Sequence, residues 1–152
     1  MKILLSILLA QCAGFLGAIF TTTKIGSWYM TLMKPSWNPP GWIFGPVWTT
    51  LYTLMGIASY LVWKTPDGPI RTQALVLYGV QLALNALWSF AFFGMESPKL
   101  GLVVIVPLLI LIILTTFRFF VLSKTAGWLM VPYILWVSFA TFLNFTIFRL
   151  NS

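Results

Sequence analysis

The residues best placed to do chemistry are amides and indoles set inside apolar stretches: Gln81, Asn85 and Trp88 in one, Trp136 and Asn144 in another, Trp48 with Tyr52 in a third. A carboxamide surrounded by hydrocarbon needs a hydrogen-bonding partner, while an indole offers a flat apolar surface and a single N–H donor. On a helix, Gln81, Asn85, Trp88 and Phe92 share one face, as do Trp136, Ala140, Leu143, Asn144 and Ile147. A third face aligns Trp48, Tyr52, Gly56, Ser59 and Trp63. If the three faces converge, they enclose a cavity with flat apolar walls and a few polar groups, the usual make-up of a small-molecule site. The rival reading is that Asn85 and Asn144 only bond between helices. Trp63, Trp128 and Tyr60, and with them Trp28 and Trp42, also suit an interfacial aromatic belt. Trp48 and Trp136 fit a belt less well, because small or polar residues continue their faces towards the midplane.

Other chemistry is excluded by composition. The chain has no His and one Cys, Cys12, so neither a His/Cys metal site nor an internal disulfide is available. Asp67 and Glu96 are the two acidic residues, and both fall between the apolar stretches. General acid–base catalysis and proton-coupled transport therefore lack players inside the spans.

The segment from Lys34 to Tyr52, KPSWNPPGWIFGPVWTTLY, is a stiff loop running into a helix. Each proline fixes its own φ and removes a donor, which rules out a floppy linker. Trp37, Trp42 and Trp48 supply the aromatic surface of this segment, and the reading is a rigid lid above a pocket.

The elements that must position these residues are membrane helices. Of the 152 residues, 60% are hydrophobic and 7% charged, against roughly a quarter charged in a soluble domain. Stretches of about 20 apolar residues span a bilayer as helices. Five qualify: 3–20, 43–63, 74–93, 100–120 and 128–148, with 21–42 as the long structured loop. The expected fold is an all-α integral membrane protein, a single five-helix bundle whose short connections make sequential helices antiparallel neighbours. Leu9-Ala10-Gln11-Cys12 distantly suggests a lipoprotein cleavage site, but Gln11 is too large and the apolar run continues, so the first span reads as retained. The net charge of +7 comes from cations scattered at span ends, which favours interfacial anchoring over nucleic acid. Lys2, Lys64, Arg71, Arg118 and Lys124 lie on one side and Lys24, Lys34, Lys99 and Arg149 on the other, too even a split to orient the chain. Small residues at Ser6, Ala10, Gly14 and Ala18, and at Gly79 and Ala83, mark packing stripes within the bundle or, alternatively, between copies.

Three motifs in order, WNPP…GPVWTTLYTLMG from Trp37 to Gly56, QLALNALW…FFG from Gln81 to Gly94, and PYILWVSFATFLN from Pro132 to Asn144, resemble the translocator proteins. These are also called tryptophan-rich sensory proteins, the TspO/MBR family, or peripheral-type benzodiazepine receptors. The resemblance runs from about Trp28 to Arg149. It implies a five-helix bundle, commonly a homodimer in the bilayer, in which the first loop lids a pocket. It further implies binding of porphyrins such as protoporphyrin, of benzodiazepine- and isoquinoline-type ligands, and in some members of cholesterol. By position it places Tyr29, Pro39, Trp48, Tyr52, Gln81, Asn85, Trp88, Trp136, Ala140, Leu143 and Asn144 at the pocket. It makes Trp48 and Trp136 the tryptophans implicated in light-driven porphyrin breakdown. One departure is Phe145, where vertebrate members carry the Tyr of a sterol pattern; the lost hydroxyl weakens sterol binding there.

The resulting expectation is a receptor or sensor for a flat tetrapyrrole, with Lys24 or Lys34 meeting its carboxylates and no cofactor required. Without His, a metal-free porphyrin fits better than haem. The alternatives are a light-dependent oxidative enzyme or a passive carrier of tetrapyrroles or sterols. The host membrane reads as a bacterial envelope, with the mitochondrial outer membrane second.

Overall fold

A computed structural model describes residues 3–152; Met1 and Lys2, and with Lys2 one cation of the charge comparison, lie outside the described residues. Five long helices account for most of it: α1 Ile3–Lys24, α2 Phe44–Trp63, α3 Pro69–Ser89, α4 Pro98–Leu122 and α5 Lys124–Leu150. Short 3₁₀ turns at Trp28–Thr31 and Gly41–Ile43 give the first loop its structure, and a π-helical turn at Phe90–Gly94 extends α3.

Local sequence sets these limits. Pro69 and Pro98 open α3 and α4, where a missing N–H costs nothing. Ser97 Oγ accepts from Leu100 N at 3.1 Å, capping α4. Ser123 alone separates α4 from α5, and its Oγ accepts from Ala126 N at 3.2 Å. That turn also needs Gly127, because a Cβ there would lie 2.3 Å from Phe120. The helices run past the apolar runs: α1 continues to Lys24 rather than ending near residue 20, and α3 starts at Pro69 rather than near 74. Hydropathy marks the hydrocarbon, whereas caps and prolines mark the helix.

The outward faces are apolar, with Leu4, Leu8 and Phe15 of α1 and Phe117, Val121 and Phe142 of α4 and α5 all exposed, as an acyl-chain environment requires. The molecule is an integral membrane protein. By length and hydropathy α1, α3 with its π turn, α4 and α5 each qualify as spans. The 20-residue α2 does not meet that hydropathy because it carries Trp48, Thr49, Thr50, Tyr52 and Thr53, yet it is packed between α1 and α5.

The helices close a ring in the order α1, α2, α5, α4, α3. Sequential neighbours are thus not all packing neighbours: α2 and α3 face each other across the interior and touch little, contrary to the expectation from their short connection. Of the first small-residue stripe, Ser6 and Ala10 are buried, while Gly14 and Ala18 are half-buried and line a cleft between α1 and α2. On α3, by contrast, Gly79 and Ala83 are exposed and a Cβ on Gly79 would meet nothing within 4 Å.

Candidate functional site: an aromatic chamber beneath the first loop

A buried polar network crosses the ring's interior. Tyr52 Oη donates to Asn85 Oδ1 at 2.7 Å, and Asn85 Nδ2 donates to Tyr133 Oη at 2.7 Å. Tyr133 Oη in turn donates to Gln81 Oε1 at 2.6 Å, and Gln81 Nε2 reaches Met55 Sδ at 3.7 Å. The chain ties α2, α3 and α5 together and satisfies groups that hydrocarbon would otherwise penalise. Towards the loop, Trp88 Nε1 donates to Asn144 Oδ1 at 2.9 Å, and Asn144 Nδ2 to Pro98 O at 2.8 Å. This second amide thus links α3, α5 and the start of α4. Gly101 permits the approach, since a Cβ there would come within 2.9 Å of Asn144 Oδ1 and 2.8 Å of Phe92.

Above these networks lies a narrow aromatic chamber with a cavity volume of about 40 Å³. Phe44 and Trp48 of α2, Trp88 of α3, Phe92 and Phe93 of the π turn, and Trp136, Phe139, Ala140, Leu143, Asn144 and Ile147 of α5 form its walls, with Thr21 and Tyr29 above. The wider π turn lets two successive residues, Phe92 and Phe93, both point inward, their rings 4.8 Å apart. Trp48 and Trp136 meet edge to face at 6.4 Å. The Trp136 Nε1 is buried and has no hydrogen-bond partner among the described residues. A second, larger space of about 460 Å³ is a cleft between α1 and α2 floored by Asn85 and Ser89 of α3; Thr21, Phe44 and Trp48 line both.

The loop closes the chamber's water side. Trp28 packs edge to face on Phe92 at 5.6 Å, and Trp37 stacks on Phe142 at 5.4 Å with an interplanar angle of 16°. Asn151, just past α5, clasps the loop backbone: its Oδ1 accepts from Met33 N at 3.0 Å and its Nδ2 donates to Met33 O at 2.8 Å. Tyr29 Oη donates to Asn38 Oδ1 at 3.0 Å. Burial, only partly offset by that bond, raises the Tyr29 phenol above its ordinary 10.0. The neutral phenol is therefore favoured by folding, and its contribution to lid stability is whole below pH 10 and declines as the pH rises further.

Of the residues placed at the pocket by sequence, Tyr29, Trp48, Trp88, Trp136, Ala140, Leu143 and Asn144 line the chamber, while Tyr52 and Asn85 line the cleft. Gln81 and Pro39 line neither: Gln81 is fully buried behind Tyr133, and Pro39 is half-buried in the lid, its carbonyl accepting from Asn38 Nδ2 at 3.2 Å. Of the α2 face Trp48, Tyr52, Gly56, Ser59 and Trp63, Trp48 and Tyr52 alone line these spaces. Gly56 turns to α1, where a Cβ would sit 2.5 Å from Ile7 Cα, and Trp63 is exposed with Arg71 over its ring at 4.5 Å. Trp42 and Trp128 are largely exposed, which leaves them free for an interfacial belt, whereas Trp28 packs inward on Phe92.

The two lysines expected to await carboxylates are engaged. Lys34 Nζ donates to Tyr29 O at 2.7 Å and Leu32 O at 3.0 Å, and Lys24 pairs with Glu96 at 2.9 Å. The residue the sequence reading passed over is Tyr133, the hub of the buried network; its signal was its place on the Trp136–Ala140 side of the helix, three residues before Trp136.

Comparison with known proteins agrees with this architecture. Residues 6–150 match the sequence profile of the TspO/MBR family. The chain is 50% identical over 147 residues to Tryptophan-rich protein TspO of Chlorobaculum tepidum, covering 94% of this chain and 91% of that one. It is 41% identical over 155 residues to Tryptophan-rich protein TspO of Archaeoglobus fulgidus, covering 100% and 98%. It is also 41% identical over 140 residues to the human Translocator protein, covering 90% of this chain and 82% of the relative.

Proposed function

The chain belongs to the TspO/MBR family, and from that premise we propose that it is a membrane receptor or sensor that binds porphyrins of the protoporphyrin type, and benzodiazepine- or isoquinoline-type ligands, in the tryptophan chamber. The observation that carries this is the Trp136 N–H, buried without a partner in an aromatic-walled space. A buried donor left unpaired is costly, and a flat ligand that stacks on the indoles while offering an acceptor removes that cost. Lys34 keeps one N–H donor beyond its two carbonyl bonds, enough to meet a carboxylate at the lid.

Titration of the purified protein with protoporphyrin, read as quenching of Trp fluorescence, tests the proposal. Saturable quenching at micromolar ligand is expected, weakened about tenfold in Trp48→Phe, which loses the larger part of a stacking surface. Linear, non-saturating quenching overturns it.

A second reading, light-dependent oxidative breakdown of the bound porphyrin, is favoured by the Trp48–Trp136 contact, which puts two oxidisable indoles against any chamber ligand. If Trp136→Phe consumes protoporphyrin under illumination at the parent rate, Trp136 has no part in such chemistry. Passive carriage is separated from sensing by flux into sealed liposomes. The outward Gly79 and Ala83 of α3 support a homodimer, and the prokaryotic relatives support a bacterial envelope membrane.

A further inference from the structure

We infer that the cleft between the lid-proximal halves of α1 and α2 is a lateral doorway through which a ligand dissolved in the bilayer reaches the tryptophan chamber. The inference rests on the ligand binding proposed above but concerns its route.

The two helices meet backbone to backbone at Ile7 and Gly56. Gln11 still bridges them, its Nε2 donating to Thr49 O at 3.0 Å and Thr53 Oγ1 at 2.9 Å. Towards the lid the cleft opens, and Gly14, Gly17 and Ala18 on one side and Gly41 and Gly45 on the other leave it wide. Its rim residues Phe15, Thr22, Gly45 and Thr49 are exposed on the side of the bundle, where the surroundings are acyl chains. No charged side chain lines it. Cleft and chamber share Thr21, Phe44 and Trp48 as a common wall.

Two further observations point to a guest. Ser89, at the cleft floor and 6% exposed, makes no hydrogen bond within the described residues. Its Oγ is directed at α1, where a Cβ on Gly17 would lie 3.0 Å away. An unused hydroxyl deep in an uncharged passage lined also by Thr21, Thr22 and Thr49 suits an oxygen- or nitrogen-bearing amphiphile in transit. The water side, in contrast, is shut by the Asn151 clasp on Met33 and the Trp37–Phe142 stack. A flat amphiphile resting at the interface can slide its ring sideways between α1 and α2 with these contacts intact.

The test compares a plugged doorway with an unlatched lid, both in lipid nanodiscs. Gly45→Phe fills the cleft from a position where an added Cβ meets nothing within 4 Å, so folding is spared. Asn151→Ala removes the clasp. Protoporphyrin association and dissociation are followed by stopped-flow Trp quenching. Gly45→Phe is expected to slow both rates at least tenfold with the equilibrium constant changed less than threefold; Asn151→Ala is expected to leave both rates within twofold. Unaltered rates in Gly45→Phe with faster rates in Asn151→Ala overturn the doorway in favour of access through the lid. A phospholipid carrying a diazirine in its acyl chain gives a readout free of porphyrin. It is expected to label Ser89 in the parent and not in Gly45→Phe. Labelling of Ser89 without any protoporphyrin binding would sink the proposed ligand and keep the doorway; no labelling of Ser89 sinks the doorway itself.

Discussion

The two ends of the bundle are built on opposite rules. Away from the loop, α1 and α2 touch at Ile7 and Gly56, and Ile112, Phe119, Met130 and Tyr133 are fully buried in continuous packing. Near the loop, rings meet at angles around empty space, and the indole of Trp136 holds an unsatisfied donor. The Asn85 network closes on itself, whereas the chamber above it does not. A protein interior normally avoids both voids and unpaired polar groups. Among the described residues the distal end holds one unpaired buried group as well, Tyr78 Oη against Phe119, so what sets the loop end apart is an unpaired donor beside an aromatic-walled space, and that is the end proposed above for the ligand.

Variants can break this contrast. The largest effect is expected at the tight end. Gly56→Leu drives a side chain into the Ile7 backbone, which cannot yield as a flexible side chain would, and should cost about 3 kcal/mol with loss of the α1–α2 crossing. Thermal unfolding in detergent measures it; a melting temperature within a degree of the parent would show that the two ends do not differ as described. Next comes Asn85→Leu, which strands the Tyr52 hydroxyl and leaves Tyr133 Oη only its bond to Gln81, and should cost about 1–2 kcal/mol. Tyr133→Phe should cost somewhat less, since Asn85 keeps its bond from Tyr52. A smaller cost for Asn85→Leu than for Tyr133→Phe would move the network's centre elsewhere.

Trp136→Phe sharpens the comparison by acting at the open end. It removes a donor that bonds nothing in the protein, so stability should change by less than about 0.5 kcal/mol while protoporphyrin affinity falls several-fold. Equal losses of stability and affinity would make Trp136 an ordinary core residue. The smallest effect belongs to Glu96→Gln: its pair with Lys24 is 33% and 44% exposed, and such pairs contribute at most about 0.5 kcal/mol. Limited proteolysis of the first loop would register any change in lid closure.

Some of this was legible in the chain alone. The five helical segments follow from apolar length, and the indole-bearing faces of α3 and α5 do converge, because helical periodicity fixes which side chains share a face. The face of α2 was legible only in its first half. Gly56 lies on the same stripe as Trp48, but there a neighbouring backbone, not a ligand, takes the space that a missing Cβ leaves. Gln81 and Asn85 look equivalent by spacing, yet Tyr133 rises between Gln81 and the cavity. Tyr133 itself drew no notice because a tyrosine in a span reads as an interfacial residue unless its partners are known.

What the sequence determined by itself is the solvent and the repertoire. So few charges over apolar stretches of this length require a bilayer, and the lack of His and of intramembrane carboxylates restricts the chemistry to stacking, amide contacts and indole oxidation. Only the tertiary structure decided which of these groups are already satisfied. Lys24 and Gln81 are taken up by a carboxylate and a phenol and Lys34 in part by two carbonyls, while Trp136, Tyr78 and Ser89 each hold a polar group left over among the described residues. Pairing depends on distances of a few tenths of an ångström between helices far apart in the chain, and the ring order that sets those distances is written in no single segment.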